Sequence, residues 1–333
     1  MYLPSGKIID FLRFRFKITA VLDFLLLKKI TRICKTEEIE IDQVWSFDPN
    51  LHGYLHRYPA FKKVFFVADQ IQSTSQTRAS KKADLVVSVA EEILNKFRNI
   101  NKNCLLINHG LNRQFENFAV NQLRKLETAV IENQAGKRLQ VGYVGNLLIP
   151  FLYEEGLKEI VSKNPQIDFH FWGAHNAENN NLLLSFDEKI VKVINYLKEE
   201  CTNTKFYGVC TPDIIINDFD KIDMFIYINS SVKDINGGAN SHKILEYLCT
   251  GKVVVSTYLS FYANAGLFPM SHKAGEAGYA AIFCNAVKDV AELNNISLQR
   301  KRINYTLDNT YKKNVEKIFE RLENFALIES IAI

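Results

Sequence analysis

The feature that most limits how this chain can fold is the alternation of two sequence periods. Short runs of β-branched and aromatic residues, "VWSF" (44–47), "KVFFVA" (63–68), "DLVVSV" (84–89) and "CLLI" (104–107), are apolar at successive positions, as strands buried on both faces must be. The pattern restarts with "LQVGYVG" (139–145), "DFHFWG" (168–173), "KFYG" (205–208), "DMFIYI" (223–228), "KVVVST" (252–257) and "AAIF" (280–283). Between most of these lie stretches with apolar residues every three or four positions, such as "AEEILNKFRN", "EEGLKEIVSKN" and "EKIVKVINYLKEE". Strands alternating with helices predict an α/β protein of parallel sheets covered on both faces.

The 333 residues suffice for two such domains. The polar stretch "IENQAGKR" (131–138) is the expected break, giving a first domain over 1–136 and a second over 137–305. Residues 306–333 then form a C-terminal helix packing back on the first domain, and "NYTLDNTYKKNVEKIFERLENF" reads as one long amphipathic helix. In doubly wound sheets ligands bind at the carboxyl ends of the strands, often at a domain interface.

Composition narrows the function classes. With 47% hydrophobic and 23% charged residues the chain is globular, and a net charge of +4 suits anionic ligands or an anionic membrane surface. No nucleic-acid recognition motif is present, so nucleic acid is not an expected partner. No apolar stretch approaches the length of a membrane span, and "RFRFK" interrupts any signal-peptide pattern. Six scattered cysteines without a Cys-x-x-Cys pair read as reduced structural thiols of a cytoplasmic protein. Residues 7–35 are basic and interleaved with Phe and Leu, a pattern that fits peripheral contact with the inner, anionic face of a membrane as well as a core helix with a solvated basic side.

The chemistry concentrates in "NSHKILEYLCTGKVVVST" (240–257). Gly237 and Gly238 loosen the loop before it, Asn240 or Ser241 can cap a helix, and Gly251 ends it before a buried strand. Ile244, Leu245 and Leu248 face the sheet, while Lys243 and Glu246 share the neighbouring face. A helix start with a lysine suits a phosphate, and a carboxylate one turn on can accept two hydrogen bonds from a ribose diol. The plain alternative is an intrahelical ion pair, which the spacing allows equally.

The whole segment resembles the donor-binding segment of the GT-B glycosyltransferases of the group 1 type, with Ser241, Lys243, Glu246, Tyr247, Leu248, Gly251, Lys252, Val254 and Val255 at matching positions and His242 and Val253 replacing prolines. "VGYVGNL", "FHFWGAH" and "TKFYGVCTPDII" are similar to the family's other second-domain segments, and "VWSFDP", "VFFVADQ", "ADLVVSVAEEI" and "INHGLN" follow its first domain in order, so the likeness runs from about residue 43 to 320. The resemblance implies two Rossmann-like domains facing across a cleft, with the first N-terminal βα units missing or altered. It implies a nucleotide-sugar donor, UDP-sugar favoured, held by Gly145, Asn146, Gly173, Gly208, Cys210, Ser241, His242, Lys243 and Glu246. It also implies transfer to a hydroxyl of a saccharide or lipid-linked acceptor, as in surface polysaccharide or glycolipid assembly, with anomeric configuration retained and no metal or cofactor required. Asp69 stands where the family often has a carboxylate facing the cleft, and Lys243 is the expected stabiliser of the leaving diphosphate.

Two departures from the family pattern are visible. The position that completes a Glu-x7-Glu spacing on Glu246 is Gly238, and "GNLLIPFLYEEGLKEI" offers no Arg for the diphosphate, only Lys158. These departures and the altered N-terminal end leave a second reading, a non-catalytic nucleotide-sugar-binding protein on the same scaffold. Of the remaining histidines, His52 and His56 have metal-pair spacing without an evident third ligand, His109 and His175 fall in loops of the resemblance, and Trp172 reads as core.

Overall fold

The computed structural model describes residues 19–47, 54–69, 74–128, 136–176, 187–230, 233, 239–272, 276 and 278–331. His52, Gly237, Gly238, residues 7–18 of the basic segment and most of the 131–138 stretch lie outside them.

The chain divides into two compact units, Met1–Asn108 with Val315–Ile333, and His109–Asn314. In the first, strands β1 (Ile41–Ser46), β2 (Ala60–Val67), β3 (Leu85–Ser88) and β4 (Cys104–Leu106) form a parallel sheet in sequential order. Helix α1 (Thr19–Thr36) is the one element before β1 among the described residues. Helices α2 (Thr74–Lys82) and α3 (Glu91–Arg98) connect the later strands. Strand residues of period two send Val64, Leu85 and Val87 to one face, where Ile318 and Leu322 of the C-terminal chain cover them. Arg321 adds a 2.8 Å hydrogen bond from its Nε to Asn103 Oδ1.

The second unit carries β5 (Gln140–Val144), β6 (Asp168–Trp172), β7 (Thr204–Gly208), β8 (Met224–Tyr227) and β9 (Val253–Ser256), all parallel, in the order β7-β6-β5-β8-β9. Both faces are apolar: Val141, Tyr143, Phe169 and Phe171 point to one cluster, Val144, Trp172 and Phe225 to the other. Trp172 is a core residue, 1% exposed.

Three sequence expectations differ from this structure. The break between units falls at Asn108, because helix α4 (Arg113–Thr128) belongs to the second unit. It buries Phe115 and Ala119 in the second core, and Gln122 and Lys125 both donate to Asp220 at 2.7 and 2.6 Å. A polar run marks a solvated loop, which need not be where packing changes partners. "AAIF" is helical, inside Tyr279–Lys288, with Tyr279, Phe283 and Ala286 buried at helical spacing. The C-terminal segment is two helices, Ile296–Leu307 and Tyr311–Ile331. Residues between them leave the helix to pair with Leu111, whose amide donates to Asn309 O at 2.8 Å and whose carbonyl accepts from Tyr311 N at 3.2 Å.

Candidate functional site

The second sheet reverses its winding at β5: β6 and β7 are laid to one side, β8 and β9 to the other. A crevice at the carboxyl ends of such a pair is where doubly wound sheets bind ligands. Here β5 and β8 pair only through Val141–Met224 and Gly142–Phe225. At Val144 a side chain replaces the strand partner. Tyr247 Oη accepts from Val144 N at 2.8 Å and donates to Val144 O at 3.0 Å. Its ring, fully buried, stacks on Phe225 with centroids 4.7 Å apart. The short helix His242–Leu248 is thereby fixed to the end of β5, immediately before Gly145 and Asn146.

The loops after β5, β6 and β7 are laced by their glycines. Gly145 N donates to Trp172 O at 2.8 Å, Gly173 N to Gly208 O at 2.7 Å, and Leu147 N to Ala174 O at 2.9 Å. Gly173 has φ +137°, and a Cβ there would stand 1.9 Å from Gly145 O, so only glycine fits. Asn146 Oδ1 accepts from Leu148 N at 2.8 Å, which turns the loop after β5. Cys210 follows Gly208 by two residues, partly exposed, with Sγ 3.6 Å from Tyr207 O. His175 Nδ1 lies 3.3 Å from Gly173 O.

On the short helix, Ser241 is the N-cap residue by its extended backbone and makes no side-chain cap hydrogen bond. Lys243 Nζ and Glu246 Oε2 are 3.0 Å apart with side chains 27% and 16% exposed, so the ion pair allowed by the spacing is formed. His242 Nε2 stands 3.9 Å from Glu246 Oε1, and the ring of His109 meets that of His242 edge-on at 5.9 Å. Burial holds His109 down to about 4. The helix has seven residues, and so few aligned peptide dipoles leave most of the positive charge to Lys243.

Asp69 lies in the first unit, exposed, two residues past the end of β2. His56 sits in a single turn, Leu55–Arg57, where burial first and then the charges of Arg57, Lys82, Arg78 and Lys63 lower its pKa. Among the described residues no group of three His, Cys, Asp or Glu side chains is placed to hold a metal, and no helix is long and apolar enough to cross a membrane. The sequence reading missed the work of Tyr247, which it used only as a matching position. Its signal was a phenol inside an apolar helix face, since a buried Tyr hydroxyl needs a partner.

No family profile and no curated protein sequence matches the chain. Solved structures do. HepE of Anabaena, in complex with UDP, superposes with a TM-score of 0.63 at 14% identity over 90% of this chain and 82% of its own. A glycosyltransferase from Rickettsia africae gives 0.63 at 16% identity over 98% and 84%. Sucrose-phosphate synthase from Thermosynechococcus elongatus gives 0.63 at 12% identity over 97% and 81%. With two parallel Rossmann-like sheets and these neighbours, the chain has the GT-B fold of glycosyltransferases.

Proposed function

We propose that this protein is a nucleotide-sugar-dependent glycosyltransferase whose donor site lies in the second unit, at the crevice between β5 and β8. The observation that carries the reading is the placement of Glu246. Its carboxylate rides on a helix that Tyr247 ties to the end of β5, next to a loop set closed by Gly145, Gly173 and Gly208. A fixed carboxylate beside glycine-lined backbone suits a ribose diol and a diphosphate approaching the main chain closely. UDP is the favoured base carrier, since HepE shares the fold and was solved with UDP.

In this mechanism the donor breaks the Lys243–Glu246 pair. Glu246 accepts from the ribose hydroxyls and so fixes the anomeric carbon, while Lys243 turns to the diphosphate and stabilises the charge that develops as it leaves. An acceptor hydroxyl of a saccharide or lipid-linked sugar attacks, with Asp69 as the acceptor-side carboxylate. Retention of configuration and independence of metal are part of the proposal through the likeness to the group 1 enzymes. Helix α1 supports contact with an anionic membrane at the cytoplasmic side: Phe24 and Leu25 are 56% and 53% exposed on the helix that carries Lys28, Lys29, Arg32 and Lys35.

Calorimetric titration with UDP, GDP and ADP, followed by turnover of their sugar conjugates, tests this. Glu246→Ala removes charge-assisted hydrogen bonds of about 1.5–3 kcal/mol, so UDP affinity is expected to fall roughly 10- to 100-fold. Lys243→Ala should lose turnover by a larger factor than affinity, because its charge is worth most on the departing diphosphate. Variants that bind and turn over like wild type would place the site elsewhere. The second reading, a binding protein without catalysis, is favoured by the Gly238 position and by the pairing of Lys243 with Glu246. UDP binding without turnover of any sugar conjugate selects it.

A further inference from the structure

The donor-site reading leaves a charge deficit. A nucleoside diphosphate sugar brings two negative phosphates, the stretch after β5 supplies no arginine, and Lys243 is a single cation. His242 occupies the first position of the same helix, adjacent to Lys243, with 58% of its side chain open to solvent. Its Nε2 is 3.9 Å from Glu246 Oε1, too long for a hydrogen bond, so the ring is not committed to that carboxylate. On its other side the ring of His109 meets it at 71° and 5.9 Å, an edge-to-face contact that holds its orientation.

We propose that His242 is a second phosphate ligand of the donor site, taking up a proton from solvent as the diphosphate binds, with His109 as the residue that positions its ring. This rests on the donor-site reading above and goes beyond it by coupling donor binding to a proton. The balance is simple: a neutral imidazole gains one proton released by the buffer, and the resulting imidazolium donates to a phosphate oxygen.

The surroundings favour a neutral ring before binding. Burial lowers the pKa of His242, Glu246 raises it and Lys243 lowers it, and the net shift is downward. His109, lowered to about 4 chiefly by burial, is neutral at physiological pH and adds no competing charge. Among the described residues the neighbouring helix Ile296–Leu307 presents Arg302, which is turned away to Leu267 O and Gly251 O, and β9 carries no titratable side chain. An arriving diphosphate therefore raises the pKa of His242, and protons are taken up wherever the pH lies between its free and bound values. The sign follows: donor affinity rises as pH falls, by up to about tenfold per pH unit for one proton.

The test is calorimetry of UDP-glucose binding to the full-length protein in buffers of different ionisation enthalpy, repeated from about pH 8 to about pH 6. UDP-glucose is the probe because each of its phosphates carries one ester and one anhydride bond and keeps only a strongly acidic proton, whereas the terminal phosphate of UDP itself titrates at about pH 6. Wild type is expected to take up a fraction of a proton and to bind more tightly at the acid end. His242→Gln, at an exposed position that should leave folding intact, is expected to bind with no uptake and with affinity constant to within about twofold across pH. His109→Phe keeps an aromatic ring beside His242 and should keep the uptake. Binding without uptake in wild type overturns the inference and leaves the donor site standing. Uptake that survives His242→Gln and disappears in His109→Phe assigns the proton to the other ring and overturns it as well. Absence of UDP-glucose binding removes the donor-site reading and this inference with it.

Discussion

Gly173→Ala is expected to destabilise the protein by about 3 kcal/mol or more and to abolish nucleotide binding. Two independent constraints act at this residue. Its φ of +137° is a conformation that L side chains rarely adopt, and the added methyl carbon would stand 1.9 Å from the carbonyl oxygen of Gly145. Backbone cannot yield as a flexible side chain would, because Gly145 N is held by Trp172 O and Gly173 N by Gly208 O. Relief of the clash must separate the loops after β5 and β6, and those loops line the proposed diphosphate path. The measurement is chemical denaturation of the full chain together with UDP calorimetry. A variant that loses less than about 1 kcal/mol, the low end for a single strained residue, would show that the loops are not locked as described. Gly136→Ala is the matched comparison: φ is also positive, at +87°, but no atom lies within 4 Å, so its cost is conformational alone.

Tyr247→Phe is expected to cost about 2–4 kcal/mol, a large effect for one oxygen atom. The hydroxyl satisfies both the N–H and the C=O of Val144, where the pairing of β5 with β8 has ended. Its removal leaves two buried backbone groups without partners, and each orphan of this kind costs about 1–3 kcal/mol. Tyr279→Phe provides the calibration. Tyr279 is as deeply buried, yet its hydroxyl makes one 3.2 Å bond to Val255 O, so its loss should cost about half as much or less. Equal costs at the two positions would mean that the Tyr247 bridge is not special. Because the same hydroxyl anchors the helix bearing Lys243 and Glu246, Tyr247→Phe should also weaken UDP binding, although the residue touches no ligand in the proposed site.

Several parts of the fold and site were legible in the sequence for identifiable reasons. Runs such as "KVFFVA" and "KVVVST" are apolar at consecutive positions because strands in a parallel sheet are covered on both faces, and each proved to be a strand. The family resemblance singles out Gly145, Gly173 and Gly208, and the structure joins their loops by backbone hydrogen bonds. "AAIF" was misleading because four apolar residues fit either period, and only burial of Tyr279, Phe283 and Ala286 on one side decides for a helix. The two-helix C-terminal chain was hidden for another reason: the interruption at Asp308–Thr310 is enforced by Leu111, nearly two hundred residues earlier in the chain.

The α/β class, most of the strands and the face shared by Lys243 and Glu246 follow from periods of two and 3.6 residues, which are local properties of the chain. Long-range packing places helix α4 in the second unit, pairs Lys243 with Glu246 at 3.0 Å and brings His109 edge-on against His242. The same packing makes Tyr247 stand in for a missing strand partner at Val144. Those are meetings of residues far apart in the chain, or choices between rotamers, and no local period encodes them. They follow from which buried polar group most needs a partner once the sheet has closed around it.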